Sequence, residues 1–478
     1  RMGKTEGSNG KPHELSLLRT DLCFFQASDS LGILKLLSFT MASNWDSELV
    51  RLKILSSDGP EGLKAVDPAY ARYNSATVSG SNIKTIIARL TKDLEIFETH
   101  IGIGAASNNW AVSPYKTRTG RPMLAGDPHL SPTVPPHWYL AHITTPKWSI
   151  GGAAFVGAPG MPAGHNGTSA WAPTAALIDN TDLFIEQLSK DGKSVRQGDR
   201  FIECEVLKES ISVRGAKPVE EEILISPRGP IICSVVEGDS TAISLKATWL
   251  NNSPFDILCD GPIVGSFDEF RRAWAKWPYA SLNFVYADTS NTIGWQMVGD
   301  VPVRKQGNGI IPMPGWNVQS GWEDINLPYH DLPHSLNPES GYVATANNQP
   351  LTEKLDPYLG VDWLDDYRIT RITEVLDSHD DWDLNNTADL QMDRYSIPWR
   401  ELRPFVSSLP VKHKDAIKAK ALLLKWNGNL SSDSAAAAIF ELFTAKLIRC
   451  IVSAKTPNAA RWALGKGLTP LTPHSMYG

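Results

Sequence analysis

The chain has 478 residues, of which 42% are hydrophobic and 21% charged, a balance that excludes fibrous and disordered classes and allows one large core or two fused ones. Its net charge of -6 carries no basic run, so nucleic acid is excluded as a partner. The five cysteines, Cys23, Cys204, Cys233, Cys259 and Cys450, form no C-x-x-C pair, which removes zinc-ribbon and thioredoxin readings.

Residues 1–20 are polar and rich in Gly and Lys, and read as a disordered lead-in. No charged-then-apolar leader follows Arg1, so the compartment is left open. Ser28 to Leu55 is predicted helical after the capping candidates Ser28 and Asp29. Within it, Ser30–Met41 carries Lys35 at its middle and is too short to cross a bilayer, so it reads as a buried amphipathic helix and no membrane span is expected. A second helix is predicted over Asn82–Glu98, with Ile83, Ile86, Ile87, Leu90, Leu94 and Ile96 near one face. It ends at the small-residue segment Gly102–Ala106.

From Ser107 to Val303 the pattern changes to short β-branched or aromatic runs between turn signals. Examples are the hairpin dipeptide Asn166-Gly167 and the run Leu282–Ala287. After Arg368 it returns to helix, over Asn385–Ser407, Lys412–Trp426 and Ala435–Ser453. Strands cluster instead of alternating with helices, which predicts an α+β layered architecture. Sixteen Trp suit a large apolar core or aromatic-lined pockets for organic ligands.

The stretch GIGAASNNWAV, residues 102–112, runs from small residues into Ser107, Asn108, Asn109 and Trp110. By pattern alone Ser107 is a turn or cap residue. No G-x-S-x-G elbow appears anywhere. Yet GAASNNWAV is followed in order by GRPMLAGDPHL, GAPGMPAGHNGTSAWAPTAALIDNTDLFIEQL, NTIGWQMVGDVPVR, MPGWN and GYVATANNQP. In order and spacing these stretches, with DSLGILKLLSFTMASNWDSEL before them, resemble the penicillin acylase family over residues 21–375.

The resemblance implies a four-layer αββα sandwich of the N-terminal-nucleophile hydrolase type, with additional helical segments. It divides the chain into 1–106, the end of a small chain plus spacer; 107–375, the sheet core of the large chain; and 376–478, a helical region. Relatives extend past both ends, so a fragment truncated at both ends is expected. The implied chemistry is hydrolysis of a linear N-acyl amide, as in β-lactam antibiotic side chains or N-acyl-homoserine lactones. The precursor, a zymogen, cuts itself between Ala106 and Ser107, and its small and large chains stay partners. The freed α-amine titrates near pH 7.7–8.0 and takes the Ser107 hydroxyl proton.

By resemblance, the Ala175 N–H and the Asn347 side chain hold the oxyanion. His129 orients the nucleophile, and Arg368 supports Asn347. Read without the family, Asn347 is a turn residue beside Asn348 and Pro350, His129 a structural histidine, and Arg368 a solvated helix-start residue. Leu130 and Ala163 fall where the family lines its acyl pocket with aromatic and apolar residues, Phe at both places in members that prefer phenylacetyl groups; two smaller residues here imply a longer or bulkier acyl group.

Asp179, Thr181 and Asp182 match a family loop that binds a structural Ca2+. The family's additional Glu falls on Ser28, beside Asp29. No organic cofactor is implied. Family members are often periplasmic or secreted. Relatives place Gly where Ala106 stands, and Gly reaches strained backbone geometry more easily. Against the hydrolase stand two other readings: a truncated or unprocessed remnant that only binds hydrophobic ligands, and a carbohydrate-processing β protein.

Overall fold

The computed structural model describes residues 13–19, 24–41, 44–67, 70, 105–130, 132–134, 136–233, 240–251, 263–350 and 357–465. The predicted lead-in, the predicted helix over Asn82–Glu98, and Cys23 and Cys259 lie wholly or largely outside them. The amino-terminal helices are α1 (His13–Leu17), α2 (Ala27–Met41) and α3 (Asn44–Val66). The single helix predicted over Ser28–Leu55 is therefore two, ending at Met41 and restarting at Asn44. The expected caps, Ser28 and Asp29, sit inside the first turn of α2, where Asp29 Oδ2 accepts from Gln26 N at 2.6 Å.

The strands are β1 (Ala105–Val112), β2 (Met123–Leu130), β3 (Trp138–Thr144), β4 (Ser149–Phe155), β5 (Ala163–His165), β6 (Ser169–Ala175) and β7 (Thr181–Gln187). Then follow β8 (Ser194–Gln197), β9 (Arg200–Glu203), β10 (Glu205–Ile211), β11 (Val219–Ser226), β12 (Gly229–Pro230) and β13 (Thr241–Ala247). After helix α4 (Phe267–Trp274) come β14 (Leu282–Asp288), β15 (Ile293–Val298), β16 (Pro302–Gln306), β17 (Met313–Pro314), β18 (Gly321–Asn326), β19 (His334–Leu336) and β20 (Tyr342–Thr345). The strand region thus runs past the expected limit at Val303. Helix α4 went unpredicted, although Ser266 caps it by accepting from Glu269 N at 3.3 Å. Glu269 in turn accepts from Gly265 N at 2.8 Å.

Two sheets position the site. One has the order β2-β1-β20, the other β19-β15-β14-β6-β5-β4-β3, antiparallel throughout. Side chains alternate along a strand, so each sheet has two distinct faces. Along β1, Ala111 packs with Ala172 and Val285 of the other sheet. Trp110 and Val112, on the opposite face, pack with Ile372 and Leu376 of helix α5 (Tyr367–Asp377). On the far side of the second sheet, Phe270 of α4 meets Phe284 and Tyr286. The order α5, sheet, sheet, α4 is the expected αββα sandwich.

The sheets approach closely where Gly126 of β2 faces β6. A Cβ there would lie 2.4 Å from the Ala172 Cβ, so only glycine admits this spacing.

The carboxyl-terminal helices are α6 (Leu384–Gln391), α7 (Ile397–Ser408), α8 (Lys414–Lys425), α9 (Ala435–Lys455) and α10 (Ala460–Ala463). The helix predicted over Asn385–Ser407 is broken in two. Ser396 caps the second piece by accepting from Trp399 N at 3.1 Å, and Pro398 sits in its first turn. Helix α5 crosses the boundary expected at 375/376. Among the described residues no helix is long and apolar enough to cross a membrane.

Candidate active site

Strand β1 runs unbroken through the Ala106–Ser107 bond. Its register pairs Ser107 with Pro128, and alternation puts Ser107 on the inner face with Asn109 and Ala111, between the two sheets. Ser107 is buried, and its hydroxyl donates to the Ala106 carbonyl at 2.6 Å. The Ser107 hydroxyl therefore lies against the carbonyl of the residue before it. Among the described residues no imidazole or carboxylate hydrogen-bonds to that hydroxyl.

Asn347 follows β20, which pairs with β1, and so arrives beside Ser107. The Ser107 N–H donates to Asn347 Oδ1 at 2.8 Å, and Arg368 Nη2 donates to the same oxygen at 2.9 Å. Two donors on one atom identify it as the amide oxygen, so the Nδ2 group faces the other way, donating to the Ala175 carbonyl at 2.8 Å. Asn347 is fully buried with φ 61°, a left-handed conformation that asparagine tolerates better than most residues. Strained backbone thus falls on Asn347. Ala106, where a need for glycine was expected, lies in extended strand.

Ala175 ends β6. The next N–H, that of Ala176, donates to Ser281 O at 3.0 Å, toward β14. Alternation then directs the Ala175 N–H and C=O away from β14, to the side on which Asn347 sits. Arg368 stands in the first turn of α5, where a cation opposes the helix dipole. Four hydrogen bonds offset this. Besides Asn347 Oδ1, its guanidinium donates to Ser107 O at 2.8 Å, Asn108 Oδ1 at 2.9 Å and Ala346 O at 2.7 Å. Burial pulls its pKa below the usual value, with Asp365 and Asp127 acting in the opposite sense.

Ser107, Ala175, Asn347 and Arg368 are therefore joined by hydrogen bonds, although they are far apart in sequence. His129 is not part of this group. It pairs with Ala106 on β2, so its ring emerges on the helix-facing side, opposite the Ser107 hydroxyl. There its Nε2 lies 2.8 Å from Asp127 Oδ2. Ala163 packs with Ala111 and Ala172 in the layer between the sheets, and Leu130 packs on the main core. A cavity of about 330 Å3 opens elsewhere, lined by Tyr139, Trp148, Met161, Trp171, Phe270 and Trp274. Trp171 faces away from its neighbour Ala172, so this cavity lies under α4, on the far side of the sheet from Ser107.

Asp179, Thr181 and Asp182 are buried around the start of β7, against α3. Asn44 binds Asp179 and donates to Thr181 O at 3.2 Å. Glu48, fully buried, accepts from Leu183 N at 3.2 Å. Ser28, the position expected to replace the family's Glu, is exposed on α2. The acid that packing delivers beside Asp179 and Asp182 is Glu48 instead. Sequence reading missed it because Glu48 lies among Trp45, Leu49 and Leu52 on a helix, with nothing to mark its tertiary neighbours. Arg304, in the quoted segment NTIGWQMVGDVPVR, was also missed: Nη2 lies 2.7 Å from Asp179 Oδ1 and Nε 2.9 Å from Asp182 Oδ2.

Three carboxylates and the Thr181 carbonyl are hard oxygen donors. Burial first, and then repulsion from Asp182 and Asp179, raises the Glu48 pKa well above its usual value. Burial likewise raises Asp179, against the attraction of Arg304. The raised pKa values favour the neutral acids at Glu48 and Asp179, and a divalent cation would favour their charged forms; in that respect, hard oxygen donors close together, the donor chemistry fits such a cation. In the arrangement described, Arg304 spans two of these carboxylates. Among the described residues no group of three or more His, Cys, Asp or Glu is set around a common metal position.

The stacked antiparallel sheets between helices, with a serine inside the first sheet strand, define the N-terminal-nucleophile hydrolase class of fold. The chain belongs to the Penicillin amidase family, whose model matches residues 3–474. It is 28% identical over 465 residues to the penicillin acylase 2 proenzyme of Pseudomonas sp. (strain SE83), covering 92% of this chain and 58% of that protein. It is 27% identical over 466 residues to the acyl-homoserine lactone acylase QuiP of Pseudomonas aeruginosa, covering 88% and 54%. The chain spans a little over half the length of these curated relatives. Among solved structures, a thermostable penicillin G acylase from Alcaligenes faecalis superposes with a TM-score of 0.65 at 21% identity, over 75% of this chain and 67% of that one.

Proposed function

We propose that this chain is the core of an amide hydrolase that cleaves linear N-acyl bonds through an acyl-enzyme on Ser107. The observation that carries the reading is the convergence of Ser107 N and Arg368 on Asn347 Oδ1, with Asn347 Nδ2 turned to Ala175. Its first step is self-cleavage. The Ser107 hydroxyl attacks the Ala106 carbonyl carbon, the peptide C–N bond breaks as the nitrogen gains a proton, and water hydrolyses the resulting ester. Ser107 then carries a free α-amine, and the small and large chains remain associated.

That amine is the base. Near neutrality a fraction is unprotonated and accepts the hydroxyl proton as the oxygen attacks a substrate amide. The Ala175 N–H and Asn347 Nδ2 donate to the developing oxyanion, where preorganised donors act most strongly. Arg368 holds the Asn347 amide with its oxygen toward Ser107 N, so that Nδ2, one hydrogen of which binds the Ala175 carbonyl, offers its second hydrogen for this role. The amine product leaves with the proton, and water releases the acid. His129, on β2, lies on the face of the sheet opposite the Ser107 hydroxyl, so in this reading it does not touch the hydroxyl and, with Asp127, acts only through the sheet.

The substrate is a small N-acyl amine. A β-lactam side-chain amide and an N-acyl-homoserine lactone share this bond, in keeping with the names of the relatives above. Leu130 and Ala163, both smaller than the Phe that phenylacetyl-preferring members carry at these positions, favour a longer aliphatic or bulkier acyl group over a snug aryl one. A structural Ca2+ would be held by Asp179, Asp182, the Thr181 carbonyl and Glu48. It would neutralise charge between α3 and β7 without entering the reaction.

Intact mass spectrometry combined with turnover of an acyl-anilide series tests the reading. Two polypeptides with a new amino terminus at Ser107, and hydrolysis that prefers longer acyl chains, are expected. An uncut, inactive chain would leave the hydrophobic-ligand-binding remnant, and a sharp preference for phenylacetamides would overturn the acyl assignment.

A further inference from the structure

The layer between the sheets contains a buried polar chain that the mechanism above leaves unused. Asn109, fully buried, donates through Nδ2 to Ala172 O at 2.8 Å and Asn283 O at 3.2 Å, both on the facing sheet. Its Oδ1 accepts from Thr345 Oγ1 at 2.5 Å. Thr345 Oγ1 also lies 2.7 Å from Thr174 Oγ1. Because the single Thr345 hydroxyl hydrogen goes to Asn109, Thr174 must donate to Thr345. Every hydrogen-bonding group in this run is used.

Its position is informative. Asn109 lies two residues after Ser107 on β1, Thr345 two before Asn347 on β20, and Thr174 one before Ala175 on β6. Asn109 and Thr345 are cross-strand partners, and Thr174 joins them from the other sheet. The neighbours on this inner layer are Ala111, Ala172, Val285 and Val343, which suffice to space the sheets apolarly. An amide and two hydroxyls in such a layer cost desolvation energy unless fully paired. Unlike apolar contacts, they also fix direction and register.

We propose that Asn109, Thr345 and Thr174 form a positioning clamp that holds Ser107 in register with Ala175 and Asn347. The inference rests on the hydrolase reading. Thr345 is its hub, touching both sheets through one hydroxyl.

Thr345→Val keeps the shape, leaves Asn109 Oδ1 without a donor and deprives Thr174 of its acceptor. Scission followed by intact mass, and anilide kinetics, are measured together with melting temperature. Misplacing reacting groups by a fraction of an ångström should lower kcat about tenfold or more while KM stays within about twofold, and should slow scission. Thr345→Ser, which retains the hydroxyl, should restore both. Should Thr345→Val fail to fold, Thr174→Val cuts only the inter-sheet link and should show a smaller fall in kcat with the fold intact. Wild-type scission and kcat in a folded valine variant, whatever its melting temperature, would overturn the clamp, as would a serine variant as impaired as valine. A wild-type chain that neither splits nor turns over overturns the hydrolase reading and the clamp with it.

Discussion

Ser107 reads as an ordinary strand-start serine until the fold places Asn347 beside it. Replacing it with alanine should abolish both scission and turnover, leaving one uncut chain by intact mass. Asn347→Ala removes one of the two proposed oxyanion donors and should lower kcat by about 10²–10³-fold, measured on whatever fraction has matured. His129→Ala should still split, since its ring sits on the other face of β1; an uncut His129→Ala chain would show that the imidazole reaches the scissile bond. After scission, kcat/KM should rise with pH through the amine pKa, at or below about 8 because burial disfavours the charged amine. A pH-independent rate between pH 6 and about 9 would remove the amine as base. Arg368 could be read as a solvated helix-start residue from its neighbours in sequence, because only the approach of α5 to β1 shows what the guanidinium holds.

At the scale of elements, glycine and hydrogen-bonded carboxylates decide how pieces meet. Gly126→Ala would push β2 off β6 and should destabilise the protein by about 1–3 kcal/mol, read from denaturant melts; unchanged stability would mean the sheets can part without cost. In the helical region, Asp393 joins α5 to the α6–α7 turn through Arg371 at 2.7 Å. Burial opposes its charge, but hydrogen bonds from Arg371 and the Tyr395 N–H prevail and hold its pKa below 3.8. Its folded pKa is depressed, so its contribution is present above about pH 4 and lost as pH falls through the folded value. Asp393→Asn should therefore be less stable than wild type at neutral pH, the gap closing in acid; a gap constant with pH would assign the loss to packing. The helix break before α7 was legible in Ser396 and Pro398, yet helical periodicity on both sides masked it.

At the scale of the molecule, the buried acids under α3 bear on stability. If Glu48, Asp179 and Asp182 hold a divalent cation, calcium at about 100 times its dissociation constant should add about 2.7 kcal/mol. The melting temperature should rise accordingly and fall back with a chelator, and Glu48→Gln should weaken the response. An identical melting curve with calcium and with chelator would mean that the buried acids are balanced without a cation, through Arg304 and Arg51. Layer order was foreseeable as well, since sheet-forming segments clustered between helical ones and the family motifs kept their sequence.

What the sequence alone determined was local: which segments bury an alternating or helical face, and the ordered motifs that mark the family. Those follow from side-chain periodicity and turn chemistry acting over a few residues. Only the tertiary structure decided that Asn347 and Arg368 meet Ser107, that His129 faces away, that Glu48 and not Ser28 joins Asp179 and Asp182, and that Asn109 reaches Thr345 and Thr174. These are contacts across scores to hundreds of residues, fixed by strand register and sheet stacking, and no short-range pattern encodes which side chain will stand opposite another.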